Sequence, residues 1–278
     1  MAIFTNQAQL AYNNTVINSN VAVGEIVGEL AVTKTAIGNT YGRNDNVVYA
    51  ISITNSSSAP LEDITVTDNL GAYTVGADTL YPLTYVDGTA RLFINGVLTE
   101  GLIVTPGAPV QFSGITIPVG GNAIIIYETS VNEFAPLDVD DTITNTVTVN
   151  GEEASETITT EQAPDLTITK TIEPVPVTQN SEVTYTFTIL NFGNTPAVAT
   201  DNAILTDTFD PILTDIAVTF NGTAWTEGVN YNYDEATGLF TTVAGQIIVP
   251  AATYTVDPVT NAVIINPGVS ELVVTGTI

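Results

Sequence analysis

The chain contains no cysteine and no histidine, and its 278 residues include only two lysines and two arginines. Without cysteine there are no disulfides, no thiolate nucleophile and no thiolate metal site. Without histidine the commonest general base and a usual zinc ligand are missing as well. Four basic residues against 30 acidic ones leave a formal charge of −26. That charge repels nucleic-acid backbones and anionic lipid surfaces, so neither is expected as a partner. It also keeps copies of the chain apart until something specific overcomes the repulsion. Nowhere do 18 apolar residues stand together, so no membrane insertion is expected. The opening stretch MAIFTNQAQLAYNN has neither a basic start nor an apolar run, so no secretory signal is expected.

What is present is Thr, Val, Ile and Tyr, in short alternating runs broken by Gly, Asn, Asp and Pro. This pattern predicts short strands packed as β-sandwiches, and the length suits two domains of roughly 100–150 residues. Strands are expected at 30–36, 46–54, 62–68, 122–131 and 142–149. No stretch keeps a helical period.

The sequence repeats itself. LAVTKTAIGNTYGRNDNVVYAISITNSSSAPLEDITVTDNL (30–70) matches LTITKTIEPVPVTQNSEVTYTFTILNFGNTPAVATDNAILTDTF (166–209). Each copy has a T-K-T strand, a V-x-Y-x strand ending in Asn, an Ala/Pro turn and a T-D strand. The first copy closes with ITNTVTV at 143–149, whereas the second stops at ELVVTGTI, the counterpart of NAIIIYETSV, one strand early. The missing strand stands at the other end of the chain, where FTNQAQL (4–10) aligns with ITNTVTV. Asn6 precedes Lys34 by 28 residues and Asn145 precedes Lys170 by 25. The expected organisation is all-β: a donor strand or arm at 1–23, a first Ig-like sandwich at 24–163, and a second at 164–278 that lacks its last strand.

These T-K-T, V-x-Y-x-I-x-x-x-N, V-T-D and I-T-N-x-x-x-V elements resemble the bacterial conserved-repeat family called domain of unknown function eleven. The resemblance is strongest at 28–70, 140–150 and 164–210. It implies Ig-like modules of surface stalks, similar to pilin and adhesin domains that form Lys–Asn isopeptide bonds, and hence an extracellular, cell-surface or spore-surface location.

Strand parity gives the two lysines a place. Lys34 shares a face with Leu30, Val32 and Ala36, and Lys170 with Leu166, Ile168 and Ile172. The same test puts Asp68 with Ile64 and Val66, and Asn145 with Ile143 and Val147. Asp207 falls with Leu205 and Phe209, and Asn6 with Phe4 and Leu10. A Lys, an Asp and an Asn are thus aimed into each core. Burial costs an ionised group several kcal/mol, so such groups pair or lose their charge. A neutral lysine amine is a nucleophile, and a protonated aspartic acid can polarise an asparagine amide. The expected outcome is an amide between Lys34 and Asn145 within the chain and between Lys170 and Asn6 across chains, promoted by Asp68 and Asp207. The alternative is a buried Lys–Asp ion pair with Asn as a hydrogen-bond partner.

Lesser features have plainer readings. The acidic run at 137–141 lacks the spacing of a calcium loop and is expected to be solvated; no metal or cofactor is expected. Trp225 is expected in a core or hairpin. Asn13 and Asn221 begin N-x-T triplets with nothing to imply their glycosylation. With no base and nucleophile outside the Lys–Asp–Asn sets, the chain is expected not to be an enzyme on a separate substrate. The function that fits is a self-assembling filament subunit, a head-to-tail homopolymer joined by donor strands. The alternative is a monomeric stalk or adhesin module whose arm returns to its own second domain.

Overall fold

The computed structural model describes residues 2–26 and 30–278. Met1 in the arm and residues 27–29, two of which open the stretch that carries the family resemblance, lie outside the described residues. No α-helix occurs among the described residues; one 3-10 turn spans Ala199–Asp201. Strands fall where the alternation places them, at Leu30–Ile37, Asn46–Asn55, Leu61–Asp68, Asn122–Val131 and Thr142–Val149. In Asn46–Asn55 the odd positions Val47, Tyr49, Ile51, Ile53 and Asn55 are all buried, as a sheet with one face on the core requires.

The first Ig-like sandwich faces two sheets against each other. One carries the lysine strand Leu30–Ile37 at its edge, beside Asn46–Asn55, then Asn122–Val131 and Arg91–Ile94. The other sets the aspartate strand Leu61–Asp68 between Val110–Ile117 and the asparagine strand Thr142–Val149, which continues into Glu152–Thr160. These last two strands form a hairpin turning on Asn150 and Gly151, both at positive φ, the geometry of a two-residue primed turn. Isoleucine, valine, tyrosine and phenylalanine from both sheets fill the core.

The second sandwich repeats the first sheet: its lysine strand Leu166–Glu173 pairs Glu182–Asn191, which pairs Gly268–Thr277, which pairs Thr214–Phe220. Its aspartate strand Thr206–Thr208 pairs Leu239–Thr242 on one side. On its other side, where the first sandwich has the asparagine strand, no strand among the described residues pairs with it. The sequence match expects one strand there; among the described residues the second sandwich has no counterpart of either Thr142–Val149 or Glu152–Thr160, so the gap is a hairpin wide.

The N-terminal arm is itself a hairpin. Ala2–Asn6 pairs Ala22–Ile26, and Gln9–Tyr12 pairs Thr15–Asn18 around Asn13 and Asn14, again both at positive φ. Its pairing is internal, and Phe4, Leu10, Tyr12, Val16 and Ile17 are all exposed.

Candidate functional site

Lys34, Asp68 and Asn145 are all buried in the first sandwich. Alternation aims each inward from a different strand: the lysine strand from one sheet, the aspartate and asparagine strands from the other. Lys34 Nζ pairs with Asp68 Oδ2, and neither side chain is exposed. The amine lies 4.8 Å from the centre of the Tyr49 ring and 5.9 Å from that of Tyr127. Tyr127 also donates its hydroxyl proton to Asp68 Oδ2, and Leu70 N–H donates to Oδ1 at 2.8 Å. Burial pulls the Lys34 pKa from 10.5 down to about 8, even though the Asp68 carboxylate works to raise it. Burial thus brings the titration of this amine close to physiological pH.

The asparagine strand runs alongside, with Val147 opposite Asp68. The Asn145 carboxamide lies against the hydroxyls of Tyr49 and Tyr127, and tempers a rise in both tyrosine pKa values that burial causes. Asn145 Oδ1 accepts a hydrogen bond from Gly71 N–H at 3.2 Å, while Asn145 Nδ2 and Tyr49 Oη are buried without a hydrogen-bond partner. Gly71 makes that approach possible: its φ is +72°, and a Cβ there would meet Ile143 Cγ2 at 2.5 Å. The carbonyl oxygen is thus held by a donor, and the amide nitrogen by nothing.

The second site has the same plan, uncovered. Lys170 Nζ pairs with Asp207 Oδ2 and lies 4.6 Å from the Tyr185 ring, 5.4 Å from Phe187 and 5.2 Å from Phe209. Parity expected both lysines to be buried, yet the Lys170 side chain is 38% exposed and that of Asp207 21%. Parity fixes the direction in which a side chain points, and an adjacent strand must then cover it. Along Leu166–Glu173 only Ile172 is even half-buried. Asn6, proposed from the sequence for this site, stands exposed on the arm.

Tyr49 and Tyr127 are the site residues that sequence reasoning left without a role. Tyr49 is the tyrosine of the V-x-Y repeat and recurs as Tyr185 over Lys170, so a signal was there. Tyr127 faces Tyr49 across the sheet, where the second sandwich has Val274 facing Tyr185; no repeat marks it. The Asn that ends each V-x-Y strand is structural: Asn55 binds Ala59 O and Ile117 O, and Asn191 binds Thr195 O and Pro250 O. Among the lesser features, Trp225 stacks on Phe220 at 4.9 Å, and Asn13 and Asn221 occupy turns at positive φ. In the 137–141 run, Asp141 accepts from Asp138 N–H and Asp140 from Gln162. Among the described residues no three Asp or Glu gather as a metal site.

No family model matches the chain, so the conserved-repeat likeness of its motifs stays a resemblance. No curated protein matches it. Solved structures that do match include the major pilin subunit of Bacillus cereus, 11% identical over 96% of this chain and 73% of that one, at a TM-score of 0.35. The pilus backbone from Streptococcus pneumoniae is 13% identical over 86% of this chain and 55% of that one, also at 0.35. A collagen-binding domain from a Staphylococcus aureus adhesin is 14% identical over 49% of this chain and 99% of that one, at 0.31. This chain spans about half the length of the pneumococcal pilus backbone.

Proposed function

We propose that the chain is the subunit of a self-assembling extracellular filament, built head to tail. The arm of one copy supplies the strands missing from the second sandwich of another. Lys34 bonds Asn145 within each copy, and Lys170 bonds Asn6 of its neighbour.

The observation that carries this reading is the contrast between two sites of one design. The first is closed, with its asparagine on the adjacent strand. The second is open, and the sequence match for its asparagine sits on a folded arm that pairs only with itself. An uncovered sheet edge with an exposed apolar rim is a template for strand addition. The contact joins two different surfaces of the molecule, so it propagates as a fibre and does not close as a dimer.

The bond-forming step conserves all atoms. The lone pair of neutral Lys34 Nζ attacks Asn145 Cγ; Asp68, holding the proton that left the amine, passes it to the departing Nδ2, and the resulting carboxylate takes up the proton shed by the attacking nitrogen. The Cγ–Nδ2 bond breaks, ammonia leaves and an amide remains. Contact between the groups provides the effective molarity that a poor electrophile needs.

Intact mass and denaturing gels test the proposal together. The monomer should weigh about 17 Da less than its sequence, one ammonia, and fibres boiled in detergent should run as a ladder. A full sequence mass in folded protein would refute the internal bond. A single boiled band with a deficit of about 34 Da would mean the arm returns to its own second sandwich.

A further inference from the structure

The first sandwich supplies a template for how its sister is completed. Its closing hairpin buries Ile143, Asn145, Val147 and Val149 from one strand, and Ile158 from the other. Val149 lies opposite Val66, the repeat counterpart of Leu205. At that place the second sandwich has an apolar pocket of about 310 Å³, lined by Leu166, Ile168, Ile189, Leu205 and Ile247.

Two registers of the arm keep its apolar face inward. Matching the turns, Asn13–Asn14 on Asn150–Gly151, sets Tyr12 at the place of Val149 and Ala8 at that of Asn145. It also drops the polar Asn6 into the fully buried place of Ile143. Matching Asn6 to Asn145 gives Phe4, Asn6, Ala8 and Leu10 for Ile143, Asn145, Val147 and Val149, so each buried apolar place stays apolar. The cross-strand pairs agree. Ile143 faces Ile158 in the first sandwich; Phe4 faces Gly24 in the arm, and the Phe4 ring lies over Gly24 where a side chain would otherwise stand. One large ring then fills the room of two isoleucines, which conserves core volume.

We propose that the arm of a second copy enters the open sandwich as an intact hairpin, with Leu10 seated in the pocket at Leu166, Ile168 and Leu205. Its turn projects two residues beyond the reach of the closing hairpin of the first sandwich. This inference rests on the donor-arm reading above and adds its register and anchor. One further feature suits this occupant: residues 1–24 contain no charged side chain, in a chain of net charge −26. With Glu25 the one charged side chain of the hairpin, the docking element carries little of the side-chain repulsion that separates two copies.

Because the chain has no cysteine, engineered pairs report the register directly. In the Asn6→Ala background, which removes the expected interchain amide, Leu10→Cys with Leu205→Cys should give an oxidised ladder on a non-reducing gel that collapses with reductant. Cβ atoms directly opposite across strands lie within disulfide reach. The pair Tyr12→Cys with Leu205→Cys should give little. A ladder from the second pair and not the first would overturn the Leu10 register while leaving arm donation in place. Fibres visible by negative stain with neither pair crosslinked would overturn both.

Discussion

Asp68 takes a donor from three directions, Lys34, Tyr127 and Leu70, and this sets how the first site should respond to change. Replacing it by alanine leaves Lys34 buried and unpartnered. The Asp68→Ala protein should keep its full mass, and lose about 3–5 kcal/mol in a urea titration relative to Asn145→Ala, which retains the ion pair. The pH dependence follows from proton counting. In the proposed step the Lys34–Asp68 pair would share one proton, passed from amine to carboxyl. With the Lys34 pKa near 8, raising pH past that point removes this shared proton, so the reaction slows. Chain recovered unfolded and diluted into buffer should lose ammonia about tenfold more slowly at pH 9 than at pH 7, by time-resolved mass. A rate that climbs with pH would show a free amine acting without the acid. The lysine, aspartate and asparagine were legible because charged residues at apolar positions stand out against a period of two. Tyr127 was not, since its contact with Asp68 joins opposed sheets and an apolar-looking run conceals a tyrosine that donates.

At the scale of elements, strong alternation made the central strands legible nearly to their ends. The strand Glu152–Thr160 was not seen: its first half is EEAS, exposed or half-buried, and only Ile158 and Thr160 are fully covered. A strand lying at the outer edge of a hairpin needs few apolar residues, so periodicity gives it little weight. That is why the gap in the second sandwich looked one strand wide. The arm's hairpin register was equally hidden, since two matches two residues apart both preserve the inward face. Removing residues 1–12 tests the arm as an element. The truncated chain should form no fibres by negative stain yet keep its circular dichroism and melting midpoint, because no residue of 2–12 belongs to either sandwich core.

Across the whole molecule, charge would govern how two copies meet in the proposed filament. Thirty acidic residues against four basic ones oppose their approach, and screening should relieve this. Raising ionic strength from about 0.01 to 0.15 M shortens the screening length from about 30 to 8 Å. Elongation followed by light scattering should quicken at least tenfold. Dissociation of Asn6→Ala fibres should change far less, since the docked arm has a single charged side chain, Glu25, and would be held by apolar packing and backbone hydrogen bonds. Slower elongation at the higher salt would mean that charge attraction, not a nearly uncharged arm, brings copies together.

The positions of Lys34 and Asn145, and of Lys170 and Asn6, also decide how such a filament would carry tension. With both amides formed, pull enters a copy at Asn6, follows the chain to Lys34, crosses directly to Asn145, follows the chain to Lys170 and crosses to the neighbour's Asn6. The loops 35–144 and 171–278 are short-circuited and feel no load. Only the spans from Asn6 to Lys34 and from Asn145 to Lys170, 28 and 25 residues, can pay out. At about 3.5 Å per residue that caps the contour at about 190 Å per subunit, however many strands are peeled apart. The sandwiches would then act as rivets on a short tether, and a stretched filament would stiffen long before either core unravelled.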